Sequence, residues 1–196
     1  MAASIDDIKK LREQTGAGMM AAKKALEESN GDYDKAVENM RKAGMASAAK
    51  RADRVASQGI IETYLHGNRI GVMVEVNCET DFVARTDDFK NFAHDVAMHI
   101  TATSPQYLNP EAVPTEVIAK EKEIYAAEVA GKPAEIMDKI VAGKLDKYYE
   151  TVCLTKQPFI KDGDKTIEQL LTEVIAKTGE NMVIRRFVRF ELGLAD

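Results

Sequence analysis

The sequence predicts an α+β protein: a small antiparallel β-sheet packed with helices, joined to a separate three-helix module. Three observations carry this expectation. Apolar residues recur at helical spacing from Ala2 to Gly44. They alternate strictly with other residues from Ile70 to Asn77. Alternation then returns near the end of the chain, from Met182 to Leu192.

The first stretch reads as three short helices. Ser4 followed by Asp7 is a capping pattern, and Ile5, Ile8 and Leu11 fall on one face. Thr15-Gly16-Ala17-Gly18 breaks that helix. Met19 to Ser29, rich in Ala and Lys, is a second, stopped by Asn30-Gly31. Asp32 caps a third, with Ala36, Val37 and Met40 as its apolar face. Residues 45–58, rich in Ala and Ser with Lys50, Arg51 and Arg54, read as a linker that is either helical or flexible.

From Ile60 the period changes to that of strands. Ile60–Leu65 and Arg69–Asn77 form a hairpin about the short turn His66-Gly67-Asn68. Thr86 caps a helix with Asp87 and Asp88 in its first turn, where negative charge suits the helix dipole. Its core face is Phe89, Phe92, Val96 and Ile100, and Pro105 lies just past its end. Pro114–Ala130 and Pro133–Tyr149 form a helical hairpin about Gly131-Lys132-Pro133. Its thin stripe, Val117, Ile118 and Ile124 facing Ile136, Ile140 and Leu145, suits an arm projecting from a body. Thr166-Ile167-Glu168-Gln169 is a capping box for a helix burying Ile167, Leu170, Leu171, Val174 and Ile175 and ended by Gly179. In the final strand, alternation places Ile184, Val188, Phe190 and Leu192 on one face, with Arg186 interrupting. The expected organisation is a module over 1–44, a linker over 45–58 and an α+β core over 59–196 whose arm spans about 114–149.

Composition narrows the function classes. With 45% hydrophobic and 30% charged residues the chain fits a soluble globular protein. The net charge of −5 argues against general nucleic-acid binding, which needs a basic surface. The N-terminal Met1-Ala-Ala-Ser-Ile-Asp-Asp7 lacks the apolar core of a signal peptide, and no apolar run is long enough to span a bilayer, so a cytoplasmic location is expected. In that setting Cys78 and Cys153 are expected as buried, reduced thiols. The cysteines and His66, His94 and His99 show no metal-ligand spacing, so no metal site is expected.

Catalytic signatures are missing as well. There is no dinucleotide fingerprint, Walker loop or nucleophile elbow. Gly16-Ala17-Gly18 follows no strand and reads as a helix–helix turn. The pairs Asp6-Asp7 and Asp87-Asp88 sit at helix starts, where capping explains them. The chain looks built for binding, without cofactor or enzyme chemistry.

Two binding candidates stand out from the residues themselves. Met19 and Met20 are adjacent on a helix and point about 100° apart, so they cannot share one core stripe. Either both serve packing or at least one is an exposed contact, a role that flexible Met suits. Thr80-Asp81-Phe82 bridges a strand and the next capped helix. Phe82 there is either core or a rigid exposed wedge.

Three segments in order resemble bacterial translation elongation factor Ts. They are Leu11 to Gly44, with Thr15-Gly-Ala-Gly-Met-Met20; Ile70 to Phe89, centred on Thr80-Asp-Phe-Val-Ala84; and Thr151 to Glu191, with Leu154-Thr-Lys-Gln-Pro-Phe159 and Arg185-Arg-Phe-Val-Arg-Phe190. The resemblance implies a non-enzymatic guanine nucleotide exchange factor, which binds elongation factor Tu in its GDP-bound or nucleotide-free state and promotes GDP release. It implies that the three-helix (UBA-like) module docks on the GTPase's nucleotide-binding domain through Leu11, Arg12, Met19, Met20 and Lys23. It also implies that Phe82 enters an apolar gap between two helices of the GTPase, disturbing its magnesium and phosphate environment. Asp81 fixes the loop or bonds the partner's backbone.

Further contacts follow from the same resemblance. His66-Gly67, a hairpin turn in its own right, matches a partner contact; so does Thr178-Gly179-Glu180-Asn181, itself a helix stop, at a helix end near the nucleotide. Ile160 matches a contact to another partner domain, although the neighbouring Lys161 stands where longer members carry an apolar residue. Longer members carry two related copies of the sheet-and-helix half, and this chain carries one. A homodimer through the final strand would supply both, with Phe82 from one chain and His66 from the other on each GTPase. Two rival readings come from parts of the chain: a ubiquitin-like-binding adaptor, from the helical module alone, and an RNA-binding ribosome-associated factor, from Lys50, Arg51 and Arg54.

Overall fold

A computed structural model describes residues 4–15, 17–131 and 133–194 of the chain. Ala2, Gly16 and Lys132, which figured in the expected first helix and two turns, lie outside these residues. The order of elements is α1 (Ile5–Thr15), α2 (Met19–Glu28), α3 (Tyr33–Ala49), β1 (Gln58–His66), β2 (Ile70–Cys78), α4 (Asp81–Ala84), α5 (Asp87–Thr103), α6 (Thr115–Glu128), α7 (Ala134–Val152), β3 (Pro158–Phe159), β4 (Asp162–Thr166), α8 (Ile167–Thr178) and β5 (Met182–Glu191). β1, β2 and β5 form an antiparallel sheet in that order, and β3 pairs with β4 in a second, small one. The architecture is α+β. The chain divides into two compact units, one of Met1–Glu62, Glu75–His94 and Gln169–Arg185, the other of Thr63–Val74, Asp95–Glu168 and Arg186–Asp196.

In the first unit, helices α1 to α3 have a core of their own. Ile8, Leu11, Ala22, Ala25, Leu26 and Ala36 are buried together, with Tyr33, Val37 and Met40 packed against them. Local signals place these helices. The Ser4 hydroxyl accepts from the Asp7 N–H at 3.0 Å, and the Asp32 carboxylate from the Lys35 N–H at 3.0 Å. Ile5, expected on the buried face, is exposed, because it sits in the first turn beyond the reach of α2 and α3. Helix α3 does not stop at Gly44 but runs to Ala49, resolving the start of the expected linker as helix. Gly44 faces α8 so closely that an added Cβ would lie 3.5 Å from that of Ala176.

The same unit holds the ends of the sheet strands that carry the buried Val76, Cys78, Met182 and Ile184. Gly59 crosses β2 with φ of +147°, and a Cβ there would stand 2.1 Å from the Val76 carbonyl oxygen, so no other residue fits. The first turns of α5 bury Phe89 and Phe92, and α8 buries Ile175. Thr86 opens α5, its hydroxyl accepting from the Phe89 N–H at 3.4 Å.

In the second unit, Gly67 and Asn68 both have positive φ, 55° and 57°, and the Arg69 N–H donates to the His66 carbonyl at 3.0 Å. This is the two-residue turn whose twist suits a hairpin. The arm is present as α6 packed on α7, Pro114 and Pro133 preceding their first turns. At its base Val113, Val152 and Cys153 are buried with Tyr107, Val117, Ile118, Tyr148 and Tyr149 around them. Towards its far end Ile124 and Ile136 are exposed, so the expected stripe closes only near its base.

β5 departs from the expected alternation. Met182 and Ile184 are buried, then Arg185 and Arg186 are both exposed, and beyond them Phe187, Arg189 and Glu191 are the half-buried set. The phase of burial slips by one residue at Arg185-Arg186. Ile184 therefore does not share its environment with Val188, Phe190 and Leu192, which are exposed.

Buried polar groups of the second unit centre on His99, which is fully buried. Its Nδ1 accepts from the Ile160 N–H at 3.4 Å, so its proton sits on Nε2, which donates to Gln157 Oε1 at 3.0 Å. Thr103 donates to the same oxygen, and Gln157 Nε2 donates to the Thr151 carbonyl, both at 2.9 Å. Burial holds the His99 pKa below the ordinary imidazole value. The folded protein thus takes up fewer protons than the unfolded chain as pH falls. Stability is intact above about pH 6.5, the unfolded imidazole pKa, and is lost as pH drops through the folded pKa. The urea midpoint should therefore fall between about pH 7.5 and about pH 5, and fall less in His99→Gln. An equal fall in both proteins would assign the acid sensitivity elsewhere.

Candidate functional site

The loop after β2 is built residue by residue around Thr80. Thr80 is extended (φ −126°, ψ 156°) and caps the single-turn helix α4, its hydroxyl oxygen accepting from the Val83 N–H at 3.4 Å. Asp81 opens the turn and pairs with Arg85 at 2.6 Å along its outer side. Phe82 projects from the turn and is 78% exposed, while Ala84 on the other side is buried. The alternative that Phe82 belongs to the core is thereby removed. A large aromatic ring held open to solvent on an ordered turn has no packing role in this chain.

A second segment abuts this loop. Gly179 ends α8 with φ of +77°, and its carbonyl accepts from Arg51 Nε at 2.9 Å. The Glu180 carboxylate accepts from the Thr80 N–H at 3.0 Å and from the Thr80 hydroxyl at 2.6 Å. In return the Glu79 carboxylate accepts from the Asn181 N–H at 2.6 Å and pairs with Arg54 at 3.4 Å. Asn181 is buried, and its amide donates to the carbonyls of Ala52 and Arg54 at 3.2 and 2.7 Å. Cys78, also buried, donates its thiol to the Thr80 carbonyl at 3.1 Å. Burial, with the Glu180 charge adding to it, pushes that thiol up to about 11. Cys153 is pushed up to about 11 by burial too, and both are free thiols. Neither is a nucleophile at neutral pH.

The other residues singled out by sequence fall in both units. In the first, Met20 is 77% and Met19 42% exposed at the start of α2, so their divergence does leave a side chain in solvent. Arg12 is exposed, and so is Lys23, which pairs with Glu27 at 3.7 Å. Leu11 is the exception. It is completely buried in the module's core, where the α1–α2–α3 packing needs it, and offers no surface to a partner. In the second unit His66 and Gly67 are exposed at the hairpin turn, the His66 ring stacked 6.3 Å from that of Tyr64. Ile160 is 44% exposed, and Lys161 beside it pairs with Asp95 at 2.7 Å.

Sequence reasoning missed Glu79. It marked Thr178-Gly179-Glu180-Asn181 as a helix stop and partner contact, but not the bonds of Glu180 and Asn181, whose partners lie about a hundred residues away along the chain. Among the described residues no group of three or more His, Cys, Asp and Glu could hold a metal ion, and no helix is long and apolar enough to cross a membrane. The exposure of Phe82 sets an expectation for stability. Phe82→Ala should change it by no more than about 0.5 kcal/mol, as surface substitutions do. Phe89→Ala, which empties a fully buried site, should cost about 3–5 kcal/mol. Urea titration of both variants checks this, and a large loss for Phe82→Ala would return that ring to the core.

Comparison with known proteins places this geometry in a family. The family described as "Elongation factor TS" matches residues 3–194. The chain is 59% identical to "Elongation factor Ts" of Carboxydothermus hydrogenoformans over 189 residues, covering 95% of this chain and 87% of that protein. It is 58% identical to the Syntrophus aciditrophicus protein of that name over 189 residues, covering 95% and 94% of the two chains. The Thermodesulfovibrio yellowstonii protein, also "Elongation factor Ts", is 54% identical over 194 residues, 98% of each chain. The match spans both compact units, the loop that carries Phe82 and the helices that carry Met19 and Met20, so the chain belongs to the elongation factor Ts family of translation elongation factors.

Proposed function

We infer that the chain is a guanine nucleotide exchange factor that binds elongation factor Tu, in its GDP-bound or nucleotide-free state, and drives GDP off it. The observation that carries this reading is Phe82, a rigidly mounted aromatic side chain 78% exposed on a capped turn, in a chain of this family. A GTPase grips its nucleotide largely through a bound magnesium ion and a phosphate-cradling loop. An aromatic wedge entering between helices beside that site displaces both. Nucleotide and exchange factor then bind antagonistically, each lowering the other's affinity by the same factor. No covalent bond changes, so the chain needs no cofactor of its own and is not an enzyme. Its working place is the cytoplasm, with its GTPase.

The helices of residues 1–44 act as the docking module. Arg12, Met19, Met20 and Lys23 supply its contact surface, supported by their exposure, while Leu11 holds the module's core. Asp81 braces the wedge turn through Arg85. Gly179, His66-Gly67 and Ile160 make the secondary contacts. The net negative charge disfavours the RNA-binding alternative.

Two copies act together. On the second unit, the Leu192 N–H donates to the Arg69 carbonyl at 2.8 Å, which sets Phe190 beside Gly71 and Val188 beside Met73. Leu65 reaches over Gly71, its Cδ1 3.7 Å from where a Cβ would be. Leu65, Met73, Val188, Phe190 and Leu192 thus form an exposed apolar strip on a sheet whose edge strand is β5. Such a strip suits a second copy related by a two-fold axis. Phe82 of one chain and His66 of its mate then serve the same GTPase.

Labelled GDP on elongation factor Tu provides the test. Adding this chain should accelerate release, and Phe82→Ala should slow the accelerated rate at least about tenfold, equivalent to about 1.4 kcal/mol of barrier. Equal rates with and without the chain would end the exchange-factor reading. Light scattering at micromolar concentration should give twice the chain mass, unchanged by reducing agent because both thiols are buried. A monomeric mass with full exchange activity would remove the dimer and the shared site together.

A further inference from the structure

The wedge turn is too short to hold itself. Helix α4 has four residues, and nucleating one helical turn in isolation is unfavourable. Phe82 cannot anchor the turn by burial, being 78% exposed. The anchoring comes from Thr80, every polar group of which is engaged. Its N–H and its hydroxyl both donate to Glu180, and its carbonyl accepts from the Cys78 thiol at 3.1 Å and the Ala84 N–H at 3.3 Å.

The hydroxyl has one proton to give. Glu180 takes it at 2.6 Å, which turns the oxygen lone pairs of Thr80 towards the Val83 N–H that they cap. The carboxylate therefore does two things. It pins the backbone on which α4 starts, and it orients the capping group that keeps α4 wound. Glu180 is itself firmly seated, between Gly179, held by Arg51, and the buried Asn181, held by Glu79, Ala52 and Arg54.

We propose that Glu180 is a positioning residue for nucleotide exchange: its carboxylate clamps Thr80 and so holds Phe82 in the attitude in which it enters the GTPase. This rests on the wedge reading of Phe82. Glu180 acts through the turn and not by touching the partner, and that distinction can be measured.

The experiment compares the full chain with Glu180→Ala, Glu180→Gln, Phe82→Ala and the double variant Phe82→Ala/Glu180→Ala. Two readouts are taken. One is amide hydrogen exchange of residues 80–84 in the free protein. The other is the limiting rate and half-saturating concentration for release of fluorescent GDP from elongation factor Tu. Glu180→Ala should speed hydrogen exchange in that segment and lower the limiting rate about tenfold, with a smaller change in half-saturation. Glu180→Gln, whose amide oxygen still accepts from the Thr80 N–H, should fall by only about threefold and keep the wild-type thermal midpoint, separating clamp from fold. The double variant should match Phe82→Ala within about twofold, because a clamp has nothing to position once the ring is gone.

Unchanged hydrogen exchange in Glu180→Ala would overturn the clamp. Factors that multiply in the double variant would overturn it too, since Glu180 would then contact the partner directly. Full activity of Phe82→Ala would instead sink the wedge reading, while hydrogen exchange would still decide whether Glu180 holds the turn.

Discussion

Two glutamates trade backbone amides across about a hundred residues of chain. Glu180, after α8, accepts from Thr80; Glu79, after β2, accepts from Asn181. Charge-assisted bonds of this kind are roughly twice as strong as neutral ones. They are also reciprocal, so each loop is bonded to the other from both sides. The end of the apolar strand β2, the end of α8 and the start of β5 meet at this exchange. The turn that carries the exposed ring of Phe82 starts at this point. Arg51 and Arg54 fasten the stretch after α3 to the same point, through the Gly179 carbonyl and the Glu79 carboxylate.

These bonds are worth having because their surroundings are largely dry. Cys78 and Asn181 are buried, and an amide or carbonyl left unpaired there would cost about 1–3 kcal/mol. The second unit solves the same problem differently. Its buried polar centre, His99 with Gln157 and Thr103, is neutral and satisfied by the backbone of Thr151 and Ile160. Charged locking appears where a surface feature must be held still, and neutral pairing where a core must only be satisfied.

Much of the fold could be read from the sequence because local chemistry decided it. Asp32 and Thr86 announce α3 and α5 through their own side chains, and Gly67-Asn68 announces the hairpin through backbone conformations that few residues adopt. What escaped was decided at a distance. Helix α3 continues through Gly44, where α8 lies beside it. The slip in burial at Arg185-Arg186 breaks an alternation that the residue types continue, and β3 with β4 is too short to show a period. At the site, Asp81, Phe82, Met19 and Met20 were visible as residue types in an informative order. Whether Phe82 lay inside or outside was not visible, since exposure depends on what packs above it. Leu11 shows the converse, a motif residue that tertiary packing claims for the core. Glu180 stood in the helix-end segment that the resemblance marked, but its bonds to Thr80 had no sequence signal, because a carboxylate in a loop looks alike whether it is solvated or paired.

The continuation of α3 has a consequence for how this chain tolerates change in length. The helix is 17 residues long, about 25 Å, with α1 and α2 before it and the Arg51 anchor just beyond its end. A helix transmits rotation as well as distance. One residue inserted in α3 would swing Met20 by about 100° around the helix axis and shift it by about 1.5 Å, relative to Phe82. A step near two full turns, about seven residues, nearly restores the bearing, and it moves Met20 along the axis by about 10 Å. The segment between Met20 and Phe82 thus behaves as an indexed spindle, for which a gain or loss of one residue is an error of aim.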